Sequence, residues 1–205
     1  MASPAAPVTH VLYLHGFRSG PRSTKAKRMR TWLVAHRPEV TWWCPQLPAS
    51  PREALSLCLD GIAGWPVETT AVFGSSLGGY YATAVAERTG CRAVLLNPAV
   101  EAARDLAAFV DQPLTSWDGD EPFEWRAAFL DELRAMAAPH PVSRPERVLA
   151  VIAQGDELLD WREMSGRYPG SRLRIVEGGD HGLSDFEVHL PEIAAFCGWG
   201  PAVSV

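Results

Sequence analysis

The chain has 205 residues, of which 47% are hydrophobic and 21% charged, and its net charge is −5. That length fits one domain with a substantial core. The charge offers no electrostatic case for a nucleic-acid partner, and no apolar run approaches the roughly 20 residues of a membrane span. Residues 1–7 lack the basic start and long apolar stretch of a secretory signal. Cys44, Cys58, Cys91 and Cys197 are scattered with no Cys-x-x-Cys pair, and read as buried thiols of a cytoplasmic protein.

Short apolar runs then alternate with helical patterns. A strand over 10–14 runs into His15-Gly16-Phe17. A basic segment follows, with Arg18, Arg22, Lys25, Lys27, Arg28 and Arg30 placing six of the 19 basic residues in 13 positions. A helix over 25–36 and a strand over 40–44 come next. The helix over 51–63 has a clear start: Ser50 can cap, Pro51 suits the first turn and Glu53 completes a capping box. Leu55, Cys58, Leu59 and Ile62 then recur on one face. The run Thr70-Ala71-Val72-Phe73 reads as a buried strand, and 77–87 as a helix. Strands over 92–96, 147–153 and 172–176 and helices over 124–136, 161–168 and 191–197 complete the pattern. Alternating strands and helices imply a mostly parallel sheet of about six strands, covered on both faces. Residues 97–146 break the alternation, with no convincing strand and a polar, turn-rich stretch at 111–122. An insertion there would lie over the carboxyl ends of the strands as a small cap. The organisation expected is one domain over 1–205, with the cap roughly at 97–146.

The chemistry centres on Gly74-Ser75-Ser76-Leu77-Gly78, between the strand at 70–73 and the helix at 77–87. Strand, sharp turn and helix around Gly-x-Ser-x-Gly form a nucleophile elbow. Ser76 has glycines at both −2 and +2, which Ser75 lacks. A serine hydroxyl needs a base, and the base an orienting carboxylate, in the chain order Ser, acid, His. Gln154-Gly155-Asp156-Glu157 follows one late strand, and Glu177-Gly178-Gly179-Asp180-His181-Gly182 follows the last. Asp156 is therefore the expected acid and His181 the base. Asp160 competes with Asp156, but Asp160-Trp161-Arg162-Glu163 looks like a helix cap. An oxyanion hole needs two backbone N–H groups, expected from Leu77 and from Phe17. His15 reads as a residue that positions this loop. No His/Cys cluster suggests a metal. The basic segment has two readings: capture of an anionic leaving group such as coenzyme A phosphates, or a solvated helix face.

The chain also resembles the YqiA-like esterases, small α/β-hydrolases. The matching stretches are Tyr13-Leu14-His15-Gly16-Phe17, Ser23 with Lys25-Ala26, Pro45-Gln46-Leu47-Pro48, the elbow extended through Thr83, Asn97-Pro98-Ala99-Val100, Gly155-Asp156-Glu157-Leu158-Leu159-Asp160 and Gly178-Gly179-Asp180-His181. The Gln-Leu-Pro and Asn-Pro-Ala-Val stretches make the match specific. The resemblance implies an α/β-hydrolase fold and a serine esterase acting on small-molecule acyl esters or thioesters without a cofactor, with Ser76, Asp156 and His181 as its triad. Leu183 departs from the family pattern, an aromatic residue there, and bears on the acyl pocket. Acyl-CoA thioesterase and non-catalytic binding module are the alternatives. The oligomeric state is open.

Overall fold

The computed structural model describes residues 6–116 and 122–200. The first five residues of the leader reading and residues 117–121 of the turn-rich stretch lie outside the described residues. The elements in chain order are β1 (His10–Leu14), α1 (Thr24–His36), β2 (Thr41–Trp43), α2 (Pro51–Ile62), β3 (Thr70–Ser75), α3 (Leu77–Thr89), β4 (Arg92–Leu96), α4 (Ala102–Asp105), β5 (Leu114–Thr115), β6 (Pro122–Phe123), α5 (Ala127–Met136), β7 (Val148–Ala153), α6 (Trp161–Arg167), β8 (Arg172–Val176) and α7 (Leu190–Phe196). Six strands form one sheet in the order β2-β1-β3-β4-β7-β8, and every pairing within it is parallel.

Side chains alternate across a pleated strand, so each strand feeds two cores. Leu12, Leu14, Val72, Leu95 and Ile152 pack with buried residues of α2, α3, α5 and α6. Val11, Tyr13, Phe73, Leu96 and Val151 pack with α1 and α7 on the other face. This double burial explains why β3, β4 and β7 are buried along their whole length and mostly apolar rather than alternating. The same second face joins distant parts of the chain. The Val8 N–H donates to Cys197 C=O at 2.8 Å, and the Trp199 indole N–H donates to Val8 C=O at 2.8 Å. The Trp199 ring lies between Trp32 and Phe73.

Two local readings are amended. Ser50 caps α2 by accepting from the Glu53 N–H at 3.3 Å. Its hydroxyl then donates to Glu132 of α5 at 2.7 Å, and that carboxylate also accepts from the Arg52 N–H at 3.0 Å. Burial alone would raise the Glu132 carboxyl, but the Arg52 N–H, the Ser50 hydroxyl and the Arg52 guanidinium outweigh it and hold the group below its ordinary value. Residues 97–146 do contain strand: β5 and β6 form a two-residue antiparallel pair, Leu114 with Phe123 and Thr115 with Pro122. Two residues are too few to show a period, and proline is tolerated where no ladder N–H is needed.

All four cysteines are free thiols; three are buried and Cys44 is half-buried. Burial pushes the Cys44 and Cys58 thiols up to about 12 and raises Cys91 and Cys197 as well. The unfolded chain therefore releases these protons first. The stability linked to them is complete below about pH 8.5 and is lost as pH rises towards 12. The urea midpoint should accordingly fall across that window. At pH 8 a thiol reagent should modify Cys58, Cys91 and Cys197 only as fast as the chain unfolds. Rapid labelling of Cys58 in the native protein would contradict the buried-thiol assignment.

Candidate active site

The site stands at the carboxyl ends of the parallel strands. Ser76 directly follows β3 with φ 56° and ψ −123°. A serine held there costs on the order of 1–3 kcal/mol, so its surroundings must enforce it. They do so through the backbone: the Ser76 N–H donates to Leu96 C=O, and Ser76 C=O accepts from the N–H groups of Gly79 and Ala99. Two close approaches require glycine. A Cβ on Gly74 would lie 2.1 Å from Gly78 O, and one on Gly78 would lie 2.0 Å from Leu14 O. The first turn of α3 is thus pressed between its own strand and β1, and Ser76 is left half-buried at the helix N-terminus.

Asp156 and His181 meet from separate loops. Nδ1 of His181 lies 2.8 Å from Oδ2 and 3.0 Å from Oδ1 of Asp156. The Asp156 side chain is 0% exposed, and its Oδ1 also accepts from the N–H groups of Leu158 and Leu159, both at 2.9 Å. This geometry holds the carboxylate as an acceptor with its position set before any substrate arrives. Backbone bonds bring the two loops together: Gln154 N–H to Val176 C=O and Gly155 N–H to Gly178 C=O. Asp160 does something else, accepting from the Arg162 N–H at 2.8 Å as the cap of α6. The Ser76 hydroxyl makes no hydrogen bond to His181 among the described residues. In the absence of substrate such bonds are often long and tighten only in the complex.

The loop after β1 lies against the serine. A Cβ on Gly16 would sit 3.3 Å from the Ser76 Cβ and 3.8 Å from its Oγ. Leu77 is the first residue of α3, so its N–H has no acceptor within the helix. His15 is buried and holds the loop: Nδ1 pairs with Gly16 C=O at 3.0 Å, and Nε2 accepts from the Leu47 N–H at 3.1 Å. A neutral ring protonated on Nδ1 satisfies both bonds. The Gln46-Leu47 stretch thereby gains a role, because it backs the loop through His15.

The ring of Phe17 is held by the inserted segment. It packs against Phe109, Phe123 and Trp125 with centroids 5.4, 5.3 and 4.9 Å away. Each such pair contributes about 0.5–1.5 kcal/mol beyond area burial, so three together outweigh a single exposed hydrogen bond of roughly 1 kcal/mol. That bond is also present, from Arg18 Nε to Thr115 C=O at 2.5 Å.

The basic segment divides in two, so neither sequence reading covers it whole. Arg18 reaches Thr115, Lys25 Nζ donates to His181 C=O at 3.0 Å, and Arg28 donates to Ser184 C=O at 2.8 Å. Arg22, Lys27 and Arg30 are exposed, as a solvated face requires. Sequence reasoning missed Lys25 and Asn97 as parts of the site. Leu183, expected to bear on the acyl pocket, is 0% exposed within the core cluster of Tyr13, Phe73 and Phe186. A cavity of about 620 Å³ elsewhere is lined by residues such as Tyr80, Arg104, His140 and Arg167 and includes none of the five candidate residues. Among the described residues, no group of His, Cys, Asp or Glu could hold a metal ion, and no helix is long and apolar enough to cross a membrane.

The sheet order, the helices on both faces and the elbow at Ser76 define the α/β-hydrolase fold. Solved structures agree. Est1E from Butyrivibrio proteoclasticus, determined with ferulic acid bound, matches with a TM-score of 0.68 at 14% identity, covering 93% of this chain and 88% of that one. The alpha/beta hydrolase GrgF from Penicillium sp. sh18 matches with a TM-score of 0.67 at 13% identity, covering 97% and 92%. At these identities the likeness shows the fold. The chain belongs to the family described as "Uncharacterised protein family (UPF0227)", whose model matches residues 10–198. It is 23% identical over 188 residues to a UPF0227 protein of Yersinia pseudotuberculosis serotype O:1b (strain IP 31758), spanning 91% of this chain and 97% of that one. The family resemblance read from the motifs is borne out.

Proposed function

We propose that this chain is a serine hydrolase that cleaves small-molecule acyl esters through an acyl-enzyme, acting in the cytoplasm as a single domain with residues 97–146 as a cap. The observation that carries this reading is the pairing of His181 with the buried Asp156 side chain, at the same end of the sheet that presents Ser76 on a strained turn. In this mechanism His181 Nε2 takes the Ser76 proton as Oγ attacks the acyl carbonyl. The N–H groups of Phe17 and Leu77 hold the oxyanion. His181 then returns the proton to the leaving oxygen. A water attacks the acyl-enzyme by the same route, and Asp156 holds the imidazole tautomer and stabilises the imidazolium throughout.

The acyl-CoA thioesterase reading loses its main support, because Arg18, Lys25 and Arg28 bind backbone carbonyls of the protein itself. A non-catalytic binding module would have no use for a desolvated carboxylate on a histidine beside a nucleophile elbow. The experiment is pre-steady-state hydrolysis of a p-nitrophenyl ester together with fluorophosphonate labelling. A nitrophenol burst of about one equivalent and a modified peptide carrying Ser76 are expected. Labelling on Ser75, or no burst and no labelling with short-chain esters, would count against the proposal.

A further inference from the structure

Two of the stretches that carry the family resemblance, Ser23-x-Lys25-Ala26 and Asn97-Pro98-Ala99-Val100, have no part in the mechanism above, yet both converge on the backbone of His181. Lys25 Nζ, from α1, donates to His181 C=O at 3.0 Å. Asn97 Nδ2, at the end of β4, donates to the same oxygen at 3.3 Å and to Asp180 C=O at 3.0 Å. Asn97 is 0% exposed and sits at φ 43°, and its Oδ1 accepts from the Ala153 N–H at 2.8 Å, which ties the grip to the sheet. From the other side the His181 N–H donates to Glu157 Oε2 at 2.9 Å. The histidine main chain is thus held at both its N–H and its C=O by side chains from three segments, while its ring is held by Asp156.

We propose that Lys25 and Asn97 are positioning residues for His181. The inference rests on the serine-hydrolase reading. A backbone clamp could be built from neutral groups, and Asn97 is one. An ammonium is a costly choice at a half-buried place, since desolvation disfavours its charge. Burial lowers the Lys25 amine to about 8, against the pull of Asp156, Asp180 and Glu157, which face it from the loops after β7 and β8. Among the described residues, the other cation of α1 bonded to this loop is Arg28, on Ser184 C=O. A charge-assisted bond is stronger than one from a neutral donor, so Lys25 fixes the His181 main chain more firmly than a second amide would.

The test measures kcat and KM for a p-nitrophenyl ester from pH 5 to 9 in wild type, Lys25→Met, Lys25→Arg and Asn97→Ala, with a melting curve for each. Lys25→Met should lower kcat about 10- to 100-fold with little change in KM. Lys25→Arg keeps a charged donor and should recover part of that loss, since the guanidinium fork differs in reach. Asn97→Ala should lower kcat in the same way, again with little change in KM. An active wild type with unaltered kcat in Lys25→Met overturns the inference and leaves the hydrolase reading standing. So does a loss of kcat that tracks a lowered melting temperature and that Lys25→Arg does not relieve, which would be a structural role alone. A wild type that neither hydrolyses esters nor takes the fluorophosphonate sinks both.

Discussion

Replacing Ser76 with alanine is expected to lower kcat for ester hydrolysis by roughly 10⁴-fold or more, because every step of the proposed cycle passes through the Oγ–acyl bond. The fold should survive. Ser76 stands at the N-cap of α3 but its side chain makes no capping hydrogen bond, and the strained φ of 56° is imposed by backbone bonds that alanine retains. The melting temperature should therefore stay within a few degrees of wild type, and the variant should refuse the fluorophosphonate. Ester turnover near the wild-type rate in Ser76→Ala would transfer the chemistry to another group.

Exchange of Asp156 for asparagine should cost about 10³- to 10⁴-fold in kcat, from the replacement of one carboxylate oxygen by an amide nitrogen. The asparagine oxygen can keep the bonds from Leu158 and Leu159, which both go to Oδ1. Its amide nitrogen then occupies the position of Oδ2, which lies 2.8 Å from His181 Nδ1. Two donors face each other there, so the ring shifts its proton to Nε2 and can no longer accept from Ser76. Asp160→Asn should be nearly silent, because asparagine caps a helix as well as aspartate, and the ion pair of Asp160 with Arg162 at 3.5 Å is exposed and contributes little. Steady-state kinetics on the two variants decide the assignment, and the opposite ranking would make Asp160 the acid.

Much of this architecture was legible because it repeats along the chain. A strand buried on both faces must be a largely apolar run, so β1, β3, β4 and β7 begin where the reading put them or within a residue of it, although β3 continues two residues further into the elbow; β8 also begins there, although it is a largely exposed edge strand. The five candidate residues were legible because each lies at a strand's end, where the fold leaves the chain free to turn. The rest depends on contacts between segments far apart in sequence. Lys25 and His181 are 156 positions apart, Asn97 and His181 84, and Ser50 and Glu132 82. A single long side chain reaching a carbonyl leaves no period in the sequence, and in Lys25 it looks the same as a solvated lysine such as Lys27. The β5–β6 pair was hidden for a related reason: its two-residue strands belong to the segment whose aromatic rings pack on Phe17, and this packing has no local signature.

The bond between Val8 and Cys197 has a consequence for the order of events during synthesis. Translation delivers the chain from its N-terminal side. Tyr13, Phe73 and Val151 are all made well before α7 and Trp199, which share their core cluster. Until α7 has been made, that face of the sheet is covered by α1 alone. His181 lies in that same late portion, after most of the sheet and close to the helix that closes it. Under the proposed mechanism Ser76 is made well before its base, and the segment that supplies His181 is also the one that adds Leu183, Phe186 and α7 to this core.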